Sequence, residues 1–461
     1  MLNRRKFMGL MGTGLATAAV SGCQLWKKKK PNIVVLLTDD QRWDAMGCMG
    51  NPIIRTPNMD RLAKEGTLFR NHFVTTSICA PSRASILSGQ YVRRHGIDDF
   101  ARHFSSQAFQ QTYPAILRAH GYYTGFIGKW GIGKAEFLPK DDFDFFRGFA
   151  GQGKYFHEIN GKQVHLTRIL ADDAVEFLQS CPQDKPFLLA LSFKAPHVQD
   201  RDPRQFLYDP ELEDLYKDVT IPVPETADPR YFEMLPEFIR TSEGRTRWKR
   251  RFDTPEKYQA SVKGYYRLIT GVDRALGRIM AQLQKQGVDD NTVIIYTSDN
   301  GFFLGEHGLA GKWLMYEESI RVPLIIRDPR QPASKRGQSV QEMTLNIDIA
   351  PTILQLAGID VPTTMQGRSV IPLYQGRQVP WRQDWFYEHH FGYSGRIPES
   401  EGVRTKKWKY IRYTDQDPVY EELFDLENDA HEVHNLSSDP KYADILERMR
   451  KRWQELRELV K

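Results

Sequence analysis

The sequence predicts an α/β fold in which a large, mostly parallel sheet is sandwiched by helices and followed by a smaller C-terminal subdomain built on an antiparallel sheet. Two observations predict it. Short apolar runs of strand length alternate with segments of helical periodicity, which favours a parallel sheet covered on both faces. The chain of 461 residues is also long enough for one large domain and a smaller one.

Each predicted strand of the sheet stops abruptly at polar residues. The apolar runs are Ile33 to Leu37, Tyr122 to Ile127, Phe187 to Phe193 and Thr292 to Thr297. The side chains that follow them are Asp39 and Asp40, then Lys129, then His197, and finally Asp299 and Asn300. In such sheets ligands gather at the carboxyl ends of the strands. We therefore expect these side chains to share one rim.

The helices between the strands are marked by their ends and by their periodicity. One is predicted from Pro57 to Gly66, with Thr56 as its N-cap, and a second from Tyr113 to His120. A long one from Tyr258 to Gln286 has apolar residues at helical spacing, and another covers Asn346 to Gly358.

The domain organisation follows from these elements. Residues 31–366 form the predicted catalytic α/β domain, and residues 367–461 form the C-terminal subdomain. A charged, proline-rich stretch of little periodicity, about residues 200–251, is predicted to be an insertion that shapes the substrate site. In the subdomain, alternating segments at 385–389, 402–405 and 408–413 predict a small antiparallel sheet, and a final amphipathic helix covers 439–460.

The first residues resemble a targeting segment. Arg4 and Arg5 precede an apolar stretch from Gly9 to Val20, the layout of a twin-arginine export signal over residues 1–22. A membrane-spanning helix needs about 20 residues, and this stretch is far shorter. The signal ends at a lipoprotein-like box that would place a lipid on Cys23, with residues 23–30 as a basic tether. We expect an exported periplasmic or cell-surface lipoprotein that contacts the membrane through its lipid only.

Net charge gives no argument for nucleic-acid binding. The formal net charge is +6, but the leader and the run from Lys27 to Lys30 contribute more than this whole excess, so the body is near neutral. Cys48 and Cys181 are interpreted as two isolated thiols, because no spacing demands a disulfide or a zinc site.

The stretch from Ser77 to Gly89 is the strongest local motif. Pro81 suits the first turn of a helix and Gly89 its end, which places Cys79 on an exposed turn at a positive helix end. A thiol there is expected to have a lowered pKa, and Arg83 adds a charge one turn on. Both features favour an anionic substrate.

The run Cys79-Ala80-Pro81-Ser82-Arg83 resembles the signature of the type I, formylglycine-dependent sulfatases of the alkaline phosphatase superfamily. Further motifs stand in that family's order: Asp39-Asp40, Gly121 to Lys129, Pro196-His197, Asp299-Asn300-Gly301 and Gly311-Lys312-Trp313. The resemblance implies that a maturation enzyme oxidises Cys79 to formylglycine. It also implies one divalent cation, usually calcium (Ca²⁺), on Asp39, Asp40, Asp299 and Asn300, a donor set of hard oxygens that suits calcium independently.

The resemblance assigns the reaction to sulfate ester hydrolysis. A hydroxyl of the hydrated Cys79 aldehyde would attack sulfur, Arg83, Lys129 and Lys312 would hold the hydrate and sulfate oxygens, and His197 would protonate the leaving oxygen. The family commonly has a histidine two residues after the strand-end lysine, where this chain has Gly131. His95, His103 and His307 are the candidates to replace it.

The expected substrate is a sulfated carbohydrate, either a polysaccharide or a glycosaminoglycan fragment. Candidate substrate-binding residues are polar groups near the site and on the C-terminal subdomain: His95, His103, His389, His390, Arg404 and Lys407. Two alternatives stay open. One is a phosphate or phosphonate monoester hydrolase of the same superfamily. The other is a tethered glycan-binding pseudo-sulfatase that lost turnover with the histidine at position 131.

Overall fold

The computed structural model describes residues 29–461. The predicted export signal and Cys23 lie outside the described residues. Among residues 29–461, none of the helices combines the length and the apolar character that crossing a membrane requires.

The main sheet has eight strands, numbered here with all others in chain order. They are β1 (Asn32–Asp39), β2 (Thr67–Phe69), β4 (Tyr123–Lys129), β5 (Phe145–Phe149), β8 (Phe187–Pro196), β9 (Thr292–Ser298), β12 (Leu324–Arg327) and β13 (Gln338–Val340). Their spatial order is β13-β2-β12-β9-β1-β8-β4-β5. Only β12 runs antiparallel to its neighbours β2 and β9. The predicted fold class is therefore confirmed.

Helices cover both faces of this sheet. In chain order they are α1 (Pro57–Glu65), α2 (Cys79–Ser88), α3 (Val92–His95), α4 (Ser106–Phe109), α5 (Tyr113–Ala119), α6 (Leu166–Ser180), α7 (Pro229–Glu233), α8 (Glu237–Arg240), α9 (Glu243–Arg251), α10 (Pro255–Lys285), α11 (Glu317–Ile320), α12 (Ile349–Leu356), α13 (Ile371–Tyr374) and α14 (Ala443–Leu459). The side chains of β1 alternate between two cores, with Val34 and Leu36 against α1, α6 and α10, and Val35 against α2, α5 and α12.

The predicted helices at 57–66, 113–120 and 258–286 are present as α1, α5 and α10. The segment 346–358 differs at its start, where a 3₁₀ turn, Asn346–Asp348, precedes α12. The insertion at 200–251 is more ordered than its composition indicates, because it contains α7, α8 and α9. Short pairings that carry no periodic signal were not predicted: β3 (His72–Phe73), β6 (Phe156–Ile159), β7 (Lys162–His165), β10 (Phe303–Leu304), β11 (Ala310–Gly311) and β14 (Thr344–Leu345).

The C-terminal subdomain has a four-stranded antiparallel sheet packed against α14. Its strands are β15 (Asp384–His389), β16 (Ser400–Thr405), β17 (Trp408–Tyr413) and β18 (Tyr420–Asp425), of which the last was not predicted. Asp384 pairs with Thr405 and His389 pairs with Ser400. The loop 390–399 and the turn 405–408 therefore lie at opposite ends of this sheet.

Candidate active site

Four neighbouring strands bring the predicted site residues together. The strands β9, β1, β8 and β4 are adjacent in the sheet, and their carboxyl ends carry Asp299, Asp39, His197 and Lys129. All four side chains are buried. The rim expected from the strand ends therefore exists in the fold.

Two consecutive carboxylates and an amide form the floor of the site. Asp40, directly after β1, has a left-handed backbone, with φ of 68°. The Asn300 Nδ2 donates to Asp40 Oδ1 at 2.6 Å, and the Asp40 backbone N–H donates to Asp299 Oδ1 at 3.2 Å. These bonds tie the ends of β1 and β9 together.

Cys79 is the first residue of α2, whose N-cap is Ile78 and whose C-cap is Gly89 in left-handed conformation. Its Sγ lies 3.0 Å from Lys312 Nζ and 3.4 Å from Asp39 Oδ1. The prediction of an exposed thiol with a lowered pKa is wrong. Cys79 is 1% exposed, and burial, with the nearby Asp39 charge, raises its pKa to about 12. The unmodified thiol is therefore protonated and a poor nucleophile.

Arg83 lies one helical turn after Cys79 and makes several bonds across the site. Its Nε donates to Asp299 Oδ2 at 2.8 Å and one terminal nitrogen donates to the Lys129 carbonyl at 2.7 Å. Its other terminal nitrogen is 3.3 Å from Asp39 Oδ2. The guanidinium fork thus fixes the relative positions of three strand ends.

Two lysines bring positive charge to the carboxylates. Lys129 is paired with Asp39, and Lys312, which follows β11, is paired with Asp40. Burial by itself would raise the pKa of Asp39, but Lys129, with His197, Arg83 and Lys312, holds it well below its usual value. Asp40 keeps a raised pKa, because burial outweighs the attraction of Lys312. The cluster therefore carries fixed positive charge around Cys79.

His197 faces the same cluster from the end of β8. Its Nδ1 donates to the Val198 carbonyl at 2.7 Å, which fixes the tautomer, and its Nε2 lies 3.6 Å from Asp40 Oδ2. Burial holds the pKa of His197 well below its usual value. The Nε2 atom is thus the ring position that faces the reacting groups.

The oxygen donors of the site suit a metal ion. Asp39, Asp40, Cys79 and His197 each place one ligand atom within 4.8 Å of the others. The Asn300 Oδ1 is buried and has no hydrogen-bond partner, whereas its Nδ2 is satisfied. A buried amide oxygen without a donor beside three carboxylates matches the preference of hard cations such as calcium.

Gly131 lies directly against the side chains of Arg83 and Lys129. It has φ of +75°, and a Cβ there would lie 3.0 Å from Arg83 Cδ and 3.4 Å from Lys129 Cε. None of the three histidines suggested as replacements joins the described cluster. His95 uses both ring nitrogens, on Ser85 Oγ at 3.0 Å and on the Ile97 N–H at 3.1 Å. His307 is buried against Tyr316, at a centroid distance of 5.2 Å.

The third of these histidines lies on the surface. His103 is exposed and stacks on Phe137 at 3.5 Å between ring centroids. A Cβ added to Gly133 would lie only 2.7 Å from the Cβ of His103. His103 therefore packs beside the loop that follows Lys129. Its role in substrate binding stays a prediction.

Several other predicted substrate-binding residues have partners within the protein, and their role in substrate binding stays a prediction. His95 is occupied as described above, and His389 is 1% exposed with its Nε2 3.2 Å from the Phe391 carbonyl. Arg404 pairs with Glu317 at 3.2 Å and Lys407 with Glu427 at 3.0 Å. Because Arg404 and Lys407 lie at the end of the C-terminal sheet opposite to the loop 390–399, they are remote from His390, which is half-buried in that loop.

Two residues of the site were missed. Gln152 accepts from Lys129 Nζ at 2.6 Å. Lys194 is buried, donates to the Val198 carbonyl at 3.3 Å and lies 4.9 Å from the centre of the Tyr155 ring. Burial, with the charge of Lys129, lowers its pKa to about 8. Lys194 could have been found from its place on the same strand end as His197, whereas Gln152, in a turn between two glycines, gives no such signal.

Comparisons with known proteins agree with this geometry. The sulfatase family profile matches residues 31–359, and that of the N-sulphoglucosamine sulphohydrolase C-terminal domain matches 305–459. An N-acetylglucosamine-6-O-sulfatase of Bacteroides thetaiotaomicron is 32% identical, over 93% of this chain and 86% of that protein. An arylsulfatase of Clostridium perfringens is 29% identical, over 92% and 93%.

A solved structure is also similar over nearly the whole chain. It is described as a complex of a protein with its substrate, D-glucosamine-2-N,6-O-disulfate, and aligns with a TM-score of 0.83 at 30% identity, over 94% of this chain and 98% of that one. Profile, relatives and structure agree on the family that the strand-end residues indicate. The chain belongs to the sulfatase family and is a sulfuric ester hydrolase.

Proposed function

We propose that this enzyme hydrolyses sulfate esters on a carbohydrate, with formylglycine formed from Cys79 as its nucleophile and one calcium ion in the site. The observation that carries the proposal is the position of Cys79, enclosed by Lys312, Asp39 and Arg83 at the carboxyl ends of β1, β4, β8 and β9. A buried, protonated thiol has no evident use there, whereas an oxidised side chain at the same place would face every charged group of the site.

The substrate class is proposed from the relatives. One relative is named for action on N-acetylglucosamine 6-O-sulfate, and the similar solved structure holds D-glucosamine-2-N,6-O-disulfate as substrate. We therefore propose an O-sulfated hexosamine, free or in a polysaccharide or glycosaminoglycan fragment, as the sugar that carries the ester.

The roles of the side chains follow from their atoms. Formylglycine, when present, would be hydrated, and one hydroxyl of the hydrate would attack sulfur while the bond from sulfur to the sugar oxygen breaks. The ammonium groups of Lys312 and Lys129 would bind the sulfate oxygens. Arg83 would hold the strand ends in position through its ion pairs with Asp299 and Asp39. His197 presents Nε2 to the leaving oxygen and is proposed to protonate it. The bound sulfate, as an anion, would raise the pKa of His197 toward the protonated form that this role needs.

Asp39, Asp40, Asp299 and Asn300 would hold the calcium ion. Bound there, it would supply positive charge that polarises the sulfate oxygens. The unpaired Asn300 Oδ1 supports this assignment, because it needs a partner that the protein around it does not supply.

Sulfate release from glucosamine 6-sulfate tests the function, using the full chain co-expressed with a formylglycine-generating maturation enzyme. Rates on 4-nitrophenyl sulfate and on an aryl phosphonate monoester are measured in parallel. We expect sulfate release from the sugar and a faster reaction with the sulfate than with the phosphonate. A preference for the phosphonate would favour the monoester hydrolase alternative. Complete conversion of Cys79, shown by mass spectrometry, without turnover on a panel of sulfated sugars would favour the pseudo-sulfatase.

Calcium removal is expected to lower both activity and thermal stability. Three carboxylates would lose the cation that they share, and a ligand bound only to the folded state at 100 times its dissociation constant stabilises it by about 2.7 kcal/mol. Scanning calorimetry after chelation and after addition of calcium measures the shift. The variant Asn300→Ala should lose most of the calcium-dependent shift. The metal assignment is wrong if calcium leaves the unfolding temperature of the wild-type enzyme unchanged.

We also propose that the enzyme is exported and anchored by a lipid on Cys23. This proposal rests on the sequence of residues 1–30 only. Membrane fractionation of cells that produce the wild type or Cys23→Ala tests it, because the variant should leave the membrane fraction.

A further inference from the structure

Three aromatic side chains from two separate segments meet on the surface near the site. Phe100 is 37% exposed and Tyr393 is 41% exposed. Phe391 lies between them, with its ring centre 5.2 Å from that of Phe100 and 5.8 Å from that of Tyr393. We call Phe100, Phe391 and Tyr393 the aromatic rim. Exposed aromatic clusters of this kind commonly mark binding surfaces.

The aromatic rim is continuous with the active site. Phe391 packs against a small cluster formed by Ile78, Trp313 and Ile397. Ile78 directly precedes Cys79, and Trp313 directly follows Lys312, whose Nζ is 3.0 Å from the Cys79 sulfur. One packed layer of side chains therefore separates the aromatic rim from the reacting groups.

Polar groups flank the aromatic rim on both sides. The Arg396 guanidinium lies 4.3 Å from the centre of the Tyr393 ring and reaches Glu243 Oε2 of α9 at 3.3 Å. On the other side, His390 Nδ1 is 3.9 Å from Glu399 Oε2. An aromatic face bordered by guanidinium, imidazole and carboxylate groups suits a sugar, whose ring has an apolar C–H face and a polar hydroxyl edge.

The placement of the three segments also points to a sugar. Phe100 belongs to the catalytic domain, Glu243 to the insertion, and Phe391 and Tyr393 to the C-terminal subdomain, so all three units border one surface next to the nucleophile. A protein partner would need a larger contiguous apolar face than three partly exposed rings provide. A substrate that is bound at Cys79 and is longer than one sugar would have to pass this packed layer to meet the aromatic rim.

We propose that the aromatic rim is a saccharide subsite that binds the sugar unit next to the sulfated one, so that the preferred substrate is an oligosaccharide rather than a single sugar. This inference rests on the proposed function, because it assumes that the sulfated end of the glycan enters the pocket at Cys79. Arg396 and His390 would then contact hydroxyl or anionic groups at the edge of the second sugar, and Glu399 would accept from its hydroxyls, while the buried Glu243 holds Arg396 in place.

Kinetics on substrates of two lengths test the subsite. The probes are glucosamine 6-sulfate and a heparin-derived tetrasaccharide with a 6-O-sulfate on its non-reducing-end glucosamine. For the wild type, kcat/KM should be higher for the tetrasaccharide. In Phe100→Ala and Tyr393→Ala, the ratio of the two kcat/KM values should fall by up to about tenfold, since an aromatic contact contributes up to about 1.5 kcal/mol. The control variant Ile159→Ala, which removes an exposed apolar side chain 42% accessible on the β6–β7 hairpin, should keep the wild-type ratio.

Binding without turnover separates this inference from the proposed function. Calorimetric titration of Cys79→Ala with the tetrasaccharide should show binding that Tyr393→Ala weakens in the same background. If the wild type releases sulfate but both rim variants keep the wild-type ratio, the subsite is wrong and the proposed function stands. If no sulfate is released but the tetrasaccharide binds in a rim-dependent way, the subsite stands and the function is wrong. Failure of the tetrasaccharide to bind overturns the subsite.

Discussion

The variant Cys79→Ala is expected to lose sulfatase activity by at least about 10⁴-fold, because removal of a covalent nucleophile leaves only binding and charge stabilisation. The buried thiol itself contributes little to the fold, since its polar neighbours Lys312 and Asp39 keep other partners. The measurement is the initial rate of sulfate release, with the unfolding temperature as a check on folding.

The control for this variant is Cys48→Ala, which removes another free thiol that lies outside the cluster around Cys79. We expect it to retain full activity. Peptide mass spectrometry of the wild type should show formylglycine at residue 79 in active preparations. An enzyme whose activity survives Cys79→Ala, or is full while Cys79 remains a thiol, would contradict the assignment.

The strand ends could be predicted because they depend on short-range patterns. Apolar runs of strand length stop at Asp39, Lys129, His197 and Asp299, and the parallel arrangement of the sheet then brings these residues to one edge. That argument needs no knowledge of how the loops pack.

The state of Cys79 could not be predicted in the same way. The start of α2 and the nearby Arg83 both favour a thiolate, and both are present. The opposing effect is burial, which depends on residues far away in sequence, such as Lys312 and Trp313, that close over the helix end. Local charge lowers a thiol pKa, but desolvation here outweighs it.

The partners of the candidate substrate-binding residues could not be predicted for a related reason. The polar, basic stretch around His95 predicts a solvated loop, yet the His95 ring is hydrogen-bonded to Ser85 of the neighbouring helix α2. On the C-terminal sheet, strand periodicity does not show which charged side chains are paired within the protein. Arg404 is paired with Glu317 of α11, and Lys407 is paired with Glu427.

Replacement of Lys312 by methionine is the other change with a large expected effect. Its ammonium is the group that contacts both Cys79 and Asp40, and Asp40, against the effect of burial, holds the pKa of Lys312 above its usual value. The site therefore contains a permanent positive charge beside Cys79. Loss of one such preorganised donor typically lowers kcat by about 10²–10³-fold.

Two substitutions of Lys312 separate the effect of its charge from the effect of its volume. Methionine keeps most of the length of Lys312 without its charge, whereas Lys312→Arg keeps the charge but brings a planar group into a slot that is 5% exposed. We expect both variants to be impaired in kcat, and Lys257→Met, which removes an exposed pair with Asp253 and a hydrogen bond to the Lys249 carbonyl, to match the wild type. Rates must be normalised to the formylglycine content of each preparation, because Lys312 lies against Cys79. A fully modified Lys312→Met enzyme with a kcat within tenfold of the wild type would show that Lys129 and the metal suffice to stabilise the sulfate, and that Lys312 serves mainly to neutralise Asp40.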